Sequence, residues 1–420
     1  MAQVGHVCDT VLGKMLQTTQ KNPGDQEVPY LRAGLLDTLS ELSDLPTMFA
    51  QDSEVQALEL REGDLLVAEG GDVGRSEVTP RLPHRTIFQN SLHRIRLRAR
   101  GDIRFVRYAL SSIYSSGWLD VLCNRATFGH LTVEKLRQLR IPWPQPSVQA
   151  AIADFLDTET SRIDTLITKK RRMIELLEER LRLTALGLLT GEGQGPSWRP
   201  GPYWLGSVPR AWTPRKIAWE KRTASGTTPT AGNPIYYNDS TGVPWITTSE
   251  LRETRIVDSD KRVTNAAFED YSALKVFPAG TILVAMYGAT VGRLGILGIP
   301  AATNQACCAV YGSGTLDQQF LYWWLWANRG PLVSMAYGSG QPNISQELIR
   351  GLRIPAPDLE EQRRIADNIE REFAGTERAT SELNRLIELL AERRQALITT
   401  AVTGELPIPG MAAYGQQVRV

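Results

Sequence analysis

The sequence predicts an α+β protein in which two similar mixed α/β domains are separated by two long antiparallel helices that form a coiled coil, with pseudo-twofold internal symmetry. Two observations predict this fold. A segment of more than fifty residues occurs twice at a constant offset of 213 residues, and both copies have the pattern of a long helix. The regions before the two copies match only loosely. The order is therefore variable region, constant segment, variable region, constant segment.

The constant segment begins at an Ile-Pro-x-Pro motif, at residues 141–144 and again at residues 354–357. The same offset pairs Gln149 with Gln362, Ile152-Ala153-Asp154 with Ile365-Ala366-Asp367, Ile174-Glu175-Leu176-Leu177 with Ile387-Glu388-Leu389-Leu390, Glu179-Arg180 with Glu392-Arg393, and Thr190-Gly191-Glu192 with Thr403-Gly404-Glu405. An ungapped match of this length indicates an internal duplication.

The sequence of each constant segment predicts one long helix. Ser147 and Asp358 are the predicted N-caps, and Gly191 and Gly404 are the predicted stops. Apolar residues recur in steps of three and four at Ile163, Ile167, Ile174, Leu177, Leu181 and Leu188, and at Leu383, Ile387, Leu390 and Leu397. About 44 residues of helix extend roughly 66 Å. If the chain is compact, the second helix runs back along the first.

The variable regions combine short β-like runs with Gly-rich turns and amphipathic stretches, which predicts sheet-rich α+β domains. We place the domains at residues 1–140 and 205–353, the spacer helices at 141–192 and 354–406, a linker at 193–204 and a tail at 407–420.

Composition excludes several classes of protein. Hydrophobic residues make up 42% of the chain and charged residues 22%, so intrinsic disorder is not its main state. The formal charge of +1 gives no global field for a polyanion. The four cysteines lack CxxC spacing, and we find neither a signal peptide nor a membrane-spanning run. These features predict a soluble cytoplasmic protein.

Searches for catalytic motifs find no phosphate-binding loop and no HExxH sequence, and the four histidines are scattered. The sequence Asn233-Pro234-Ile235-Tyr236 resembles the Asn-Pro-Pro-Tyr motif of amino-methyltransferases. No Gly-rich cofactor turn precedes it, and the first repeat has no counterpart. We therefore interpret it as a turn that leads into a strand, and we predict no catalytic residue, metal site or cofactor for this chain.

A basic cluster favours a polyanionic partner. Residues 75–107 contain nine arginines against Glu77 and Asp102, and Arg94, Arg96 and Arg98 alternate, so they share one face of a strand. Arginine offers forked donors to phosphates and guanine edges. The alternative is a charged edge strand that deters aggregation.

Gly-rich turns occur in both variable regions, at residues 70–75 and 287–293. Glycine lets the backbone approach a partner closely, and the arginine that ends each turn can reach a phosphate or base; the alternative is a plain hairpin turn. Together with nearby polar residues, the candidate DNA contacts are Arg75, Gln89, Asn90, Arg94, Arg96, Arg98, Tyr287, Thr290, Arg293, Gln341 and Asn343.

The doubled combination of Ile-Pro-x-Pro, Gln, Ile-Ala-Asp and a helix ending in Thr-Gly-Glu resembles the specificity subunits of Type I restriction-modification systems. The opening Trp204-Leu205-Gly206-Ser207-Val208-Pro209 of the second variable region is similar to that family too. Two features depart from it. The first half lacks this opening, and residues 373–376 (Phe-Ala-Gly-Thr) stand where apolar seam residues are usual.

The resemblance implies a non-catalytic subunit whose two target recognition domains each read half of a split, asymmetric double-stranded DNA sequence. Two methyltransferase subunits would supply adenine N6-methylation from S-adenosylmethionine, and two restriction subunits would supply translocation and cleavage driven by ATP and Mg²⁺. The helices would dock the methyltransferases through Gln149, Ile152, Glu179, Arg180, Gln362, Ile365, Glu392 and Arg393. The alternatives are an adaptor of another phage-defence system and a self-sufficient adenine methyltransferase.

Overall fold

A computed structural model describes residues 1–39, 44–70, 73–115, 130–192, 198–200, 207–238, 240–336 and 343–408. The chain divides into two compact units: Met1–Arg171 with Asn384–Val420, and Arg172–Leu383. Each unit holds one predicted variable region and part of each long helix. The duplicated organisation predicted from the repeat is therefore present.

The first unit contains a four-stranded sheet, a three-stranded sheet and a two-stranded ribbon. Its described strands are β1 (Ala2–Gln3), β2 (Cys8–Leu12), β3 (Gln26–Leu31), β4 (Thr47–Ala50), β5 (Leu65–Ala68), β6 (Ser76–Val78), β7 (Ile87–Phe88), β8 (Leu92–Leu97) and β9 (Arg140–Ile141). Its described helices are α1 (Val4–Val7), α2 (Asp52–Leu58), α3 (Ile103–Ser115), α4 (Val133–Gln138) and the first part of α5 (Pro146–Thr190), with a 3-10 helix at Ala33–Thr38. The orders are β2-β8-β5-β6, β4-β3-β7 and β1-β9, and only the β3–β7 pair is parallel among them.

The second unit repeats this arrangement. Its described strands are β10 (Trp198–Pro200), β11 (Ser207–Pro209), β12 (Thr213–Lys216), β13 (Arg222–Ser225), β14 (Tyr237–Asn238), β15 (Val243–Ile246), β16 (Arg255–Ile256), β17 (Arg262–Val263), β18 (Ile282–Ala285), β19 (Leu294–Leu297), β20 (Ala302–Thr303), β21 (Cys307–Tyr311) and β22 (Arg353–Ala356). Its described helices are α6 (Ile217–Glu220), α7 (Asn265–Asp270), α8 (Gln318–Ala327), α9 (Arg329–Ser334), α10 (Gln346–Gly351) and the first part of α11 (Leu359–Thr403), with a 3-10 helix at Thr248–Glu250.

The sheets of the first unit have counterparts in the second unit, which also contains β10, β11, β14 and β16. The order β13-β21-β18-β19 matches β2-β8-β5-β6, with β16 added at the edge. The parallel pair β15–β20 matches β3–β7, and the ribbon β12–β22 matches β1–β9. Two regions with little sequence identity therefore have one topology.

One fully buried strand separates two cores in each unit. In β5, Leu65 and Val67 pack with α3, whereas Leu66 and Ala68 pack with β3 and β7. Strand β18 alternates in the same way between its two cores. Because successive strand side chains point to opposite faces, a continuous apolar run suits a sheet that is covered on both sides.

The long helices begin and end almost where the sequence predicts. The Asp358 carboxylate accepts the Glu361 backbone N–H at 2.9 Å, so this N-cap is confirmed. The predicted cap at Ser147 is wrong, because α5 already begins at Pro146, whose missing N–H is not needed in a first helical turn. Gly191 and Gly404 follow the last helical residues with φ of 74° and 76°, as stops do.

Within each unit the two long helices run antiparallel. In the first unit, Arg394 pairs with Asp164 at 2.9 Å, and the end of α11 shares a core with the beginning of α5. In the second unit, Arg180 pairs with Glu372 at 3.5 Å, and the end of α5 shares a core with the beginning of α11. The predicted antiparallel pairing is confirmed.

The unusual Phe373 segment faces the second domain. Its ring lies 5.1 Å from that of Trp323 and 5.9 Å from that of Trp326, measured between ring centroids. The repeat-equivalent Thr160 of α5 instead contacts the hydroxyl of Tyr108 at 3.3 Å. The departure from the seam pattern thus reflects different domain-to-helix contacts in the two halves.

We expect Leu189→Ala to lower the free energy of unfolding by about 3 kcal/mol, because Leu189 is fully buried and truncation leaves a cavity. The matched change Leu183→Ala, on the same helix at 61% exposure, should shift it by less than about 0.5 kcal/mol. Urea unfolding followed by tryptophan fluorescence measures both. Equal losses would contradict the described packing of α5.

Candidate functional site

The described residues of the two Gly-rich segments, 70 with 73–75 and 287–293, lie in the connections between β5 and β6 and between β18 and β19. Gly74 and Gly292 have φ of 88° and 73°, in the left-handed region that favours glycine. In the first turn the Ala68 N–H donates to the Arg75 carbonyl at 2.8 Å, and the same bond recurs in the second turn. Both segments therefore have the backbone of a hairpin turn, with an arginine directly after the glycine in both units, and their contact with DNA stays a prediction.

The two turn arginines have different surroundings. Arg75 Nη2 donates a hydrogen bond to the Ala33 carbonyl oxygen, with 2.8 Å between the two atoms. Arg293 instead lines a cleft of about 950 Å³, together with Trp326 and Arg329. The Arg329 guanidinium pairs with Glu253 at 3.3 Å, and burial raises the pKa of that carboxyl. Arg293 is thus held beside a mixed-charge cleft.

The predicted arginine face on β8 is mostly internal. Arg94 is 4% exposed, and its Nη1 donates to the carbonyls of Ala57 and Glu59 at 3.1 Å each. Strand β8 lies between β2 and β5, so the alternative of an edge strand is wrong. Burial lowers the pKa of Arg94. Its side chain therefore satisfies backbone carbonyl groups inside the domain.

Arg96 and Arg98 form ion pairs of different burial. The Arg96 guanidinium holds the buried Asp64 carboxylate by two bonds, at 2.5 and 2.7 Å, and this pairing raises the pKa of Arg96. Arg98 pairs with Asp9 at 2.8 Å and stays largely exposed. Of the three arginines, Arg98 presents its charge to solvent.

The other candidate DNA contacts lie on or near the surface. Gln89, Asn90, Tyr287 and Thr290 are half-buried, and Asn343 is exposed. Gln341 lies outside the described residues. Gln89 and Asn90 directly precede β8, and Tyr287 and Thr290 belong to the second hairpin turn. These residues remain predicted DNA contacts.

Four of the predicted partner-contact residues lie inside the fold. Gln149 and Gln362 are 0% exposed, and Ile152 and Ile365, one turn further on, are also buried. Their side chains join each long helix to the core of its domain, so they do not form an outer docking face. Sequence periodicity could not separate these residues from exposed neighbours, because the head of each helix is covered by its own domain.

The outer faces of the helices carry different residues. The other four predicted partner contacts, Glu179, Arg180, Glu392 and Arg393, are exposed. Two apolar pairs that were not predicted as partner contacts, Met173 with Leu176 and Leu386 with Leu389, are 42% to 51% exposed. The two pairs occupy the same repeat positions. The sequence carries a sign of these exposed pairs, because each of the four apolar residues stands directly before one of the seam positions 174, 177, 387 and 390.

Among the described residues, no group of three or more His, Cys, Asp and Glu side chains is placed to hold a metal ion. In the methyltransferase-like sequence, Asn233 accepts the Ile235 N–H and Tyr236 donates its hydroxyl to Asp270. This segment is a turn before β14, as interpreted from the sequence. No helix in the described ranges is long and apolar enough to cross a membrane.

A family model, the Type I restriction modification DNA specificity domain, matches residues 1–176 and 220–389. The chain belongs to this family. Two curated members are similar over part of their length. The MjaIX specificity subunit of Methanocaldococcus jannaschii is 28% identical over 167 residues, which are 39% of this chain and 38% of the relative. The EcoR124I/EcoR124II specificity subunit of Escherichia coli is 24% identical over 162 residues, 37% of this chain and 40% of the relative.

Solved structures of the family share the fold. The HsdS subunit from Thermoanaerobacter tengcongensis superimposes with a TM-score of 0.52 at 17% identity, over 96% of both chains. A chain from a structure concerned with complex assembly and conformational transition of the type I R-M system gives 0.69 at 18% identity, over 96% of this chain and 97% of that one. The fold matches along nearly the whole chain, whereas the chain spans less than half the length of the two curated relatives.

We expect Asp64→Ala to lower the free energy of unfolding by about 3 kcal/mol, because it leaves the Arg96 guanidinium without its buried carboxylate. The control Asp9→Ala breaks the exposed pair with Arg98 and should cost less than about 1 kcal/mol. Thermal and urea unfolding measure both variants. A loss at Asp64 no larger than the loss at Asp9 would contradict a stabilising role of the buried ion pair.

Proposed function

We propose that this chain is the DNA-recognition subunit of a Type I restriction-modification complex and has no catalytic activity of its own. Membership of the DNA specificity family supports the proposal most directly. The duplicated topology also suits it, because two copies of one domain can address two places on one duplex. The proposed substrate is double-stranded DNA, and the proposed location is the cytoplasm.

Each domain is proposed to read one half of a bipartite, asymmetric target. An internal duplication with antiparallel helices mimics a twofold dimer, whose halves face opposite strands of a duplex. The two turns close with the same Ala N–H to Arg carbonyl hydrogen bond, but the side chains of Arg75 and Arg293 have different neighbours. Two domains that share one topology but carry different side chains at these turns are suited to recognise two different half-sites.

The proposed contacts of the first domain lie in the first hairpin and at the two ends of β8, and those of the second domain lie in the second hairpin and just before α10. In the first domain they are Arg75 in the hairpin, with Gln89, Asn90 and the exposed Arg98 beside β8. In the second domain they are Arg293, which corresponds to Arg75, with Tyr287, Thr290 and Asn343. The internal bonds of Arg94 and Arg96 favour a supporting role for these two arginines.

The outer helix faces are proposed to dock two methyltransferase subunits. Met173 with Leu176 and Leu386 with Leu389 expose apolar surface at the i, i+3 spacing of one helix face. Their equivalence in the repeat favours two copies of one partner. Glu179, Arg180, Glu392 and Arg393 would form polar contacts beside them. S-adenosylmethionine would bind the methyltransferases, and ATP and Mg²⁺ would bind two restriction subunits.

A methylome of cells that carry this gene and its methyltransferase tests the proposal. We expect methylated adenines in a bipartite sequence, and we expect this methylation to disappear when the gene is deleted.

A second experiment inserts four residues into each long helix, which adds about 6 Å to its length. The unspecified gap should then lengthen by about two base pairs of roughly 3.4 Å each, while both half-sites stay the same. Altered half-sites with the old gap would contradict the spacer role.

As a control for catalysis, the purified chain is incubated with duplex DNA and S-adenosylmethionine in the absence of a methyltransferase subunit, and methylation of the DNA is measured. Methylation by the chain alone would establish the self-sufficient methyltransferase instead. If specific duplex is not retained even with methyltransferase present, the chain is an adaptor without DNA recognition.

We expect Leu176→Asp and Leu389→Asp each to weaken capture of one methyltransferase subunit by at least about tenfold, because a carboxylate is costly to bury in an apolar contact. The double variant should capture none. Val257→Asp, at another exposed apolar position, is the matched control and should capture two. Co-purification followed by mass measurement gives the stoichiometry. Two subunits on the double variant would exclude this docking surface.

A further inference from the structure

We propose that Gln149 and Gln362 are positioning residues that fix the direction of each long helix relative to its own recognition domain. This inference rests on the proposed function, in which the helices set the gap between half-sites. Neither glutamine would touch DNA. Each would act by holding a joint, called here the glutamine clamp, between a helix and a domain.

In the second unit the clamp has three hydrogen bonds. Gln362 Oε1 accepts the backbone N–H of Asp317 at 2.7 Å. Its Nε2 donates to the Thr315 carbonyl at 3.0 Å and to the Pro357 carbonyl at 2.9 Å. Asp317 is the N-cap of α8, and Pro357 leads into α11. One buried amide therefore ties the beginning of a domain helix to the beginning of the spacer helix.

The first unit has the same clamp. Gln149 Oε1 accepts the Asp102 N–H at 3.0 Å, and its Nε2 donates to the Pro144 carbonyl at 2.8 Å. Asp102 directly precedes α3, as Asp317 precedes α8. A Cβ at Gly101 would lie 2.7 Å from Gln149 Oε1, so the backbone approaches the amide as closely as glycine allows. The joint is preserved although the domains around it have diverged.

The surroundings make each joint stiff. The connection into the helix is Ile-Pro-x-Pro, and proline fixes φ at two of its positions. In the second unit the loop that carries Thr315 is held in turn, because Glu220 accepts the N–H groups of Thr315 and Leu316 at 2.7 and 3.2 Å. The clamp thus connects two segments that are themselves fixed.

The chemistry requires an amide. Gln362 uses one acceptor and two donor hydrogens, and Gln149 uses one acceptor and one donor hydrogen. Among residues of this length only glutamine supplies both kinds of group without a charge. A glutamate carboxylate would face carbonyl oxygens in both units, and a methionine would leave the backbone partners of the amide unpaired. Buried polar groups without partners are costly, so the joint would loosen or rearrange.

A loose joint has a specific consequence for DNA reading. Changing the gap by one base pair displaces a half-site by about 3.4 Å and rotates it by about 34°. A rigid joint cannot follow this rotation, whereas a loosened joint can do so in part. The clamp is therefore expected to govern discrimination between gaps and not recognition of either half-site.

The test compares Gln149→Met and Gln362→Met with the unmodified chain in the methyltransferase complex. Dissociation constants are measured for the target, for targets with one base pair added to or removed from the gap, and for duplexes with a single half-site. We expect each variant to reduce the preference for the native gap by at least about tenfold. Affinity for either single half-site should change by less than about threefold.

The matched control is Gln346→Met. Gln346 also makes three hydrogen bonds, to Thr223 and Ser225, but all of them lie within the recognition domain. Its loss should lower stability while the preference for the native gap remains. Folded clamp variants that keep the native preference would overturn the inference, as would failure of both to fold, since the glutamines would then be purely structural. An unmodified chain without any gap preference would instead contradict the proposed function.

Discussion

The structure depends on burial of the head of each long helix in the core of its own domain. Ile152 and Leu156 in the first unit, and Ile365 and Ile369 in the second, pack among the residues of α3 and α8. Because these turns belong both to the domain core and to the helix, each domain is packed directly onto its own long helix. The head of each helix is therefore constrained by the domain that covers it.

The two halves keep one topology but use different chemistry where the domain meets the helix. In the first unit, Tyr108 donates its hydroxyl to Asp157 at 2.6 Å, and burial raises the pKa of Tyr108 to about 12. Arg104 adds ion pairs to Asp154 and Asp157. In the second unit, Trp323, Trp326 and Phe373 form an aromatic cluster in the equivalent place. The polar contacts of the first unit and the aromatic cluster of the second unit cover equivalent turns of the long helices, so the same backbone accommodates both sets of side chains.

Polar side chains that resemble a nucleic-acid surface in the sequence have several internal uses. Arg94 and Arg96 satisfy backbone carbonyls and a buried carboxylate, because a domain with few regular helices leaves such groups unpaired inside. Local charge counts cannot reveal this, since the carbonyls of Ala57 and Glu59 approach β8 only through the fold. The exposed apolar pairs on the helices show the converse, because apolar residues that stand directly before the seam positions are left uncovered by the fold.

The sequence by itself determined the duplication, the two long helices with their glycine stops, and the family resemblance. These features depend on short-range periodicity and on residues whose backbone preferences act locally, such as Asp358, Gly191 and Gly404. Only the tertiary structure decided which members of the repeated motifs are buried and which are exposed. Gln149 and Glu179 are equally polar in the sequence, yet one is enclosed and the other faces solvent. Burial depends on which distant segments cover a helix face, and no local pattern carries that information.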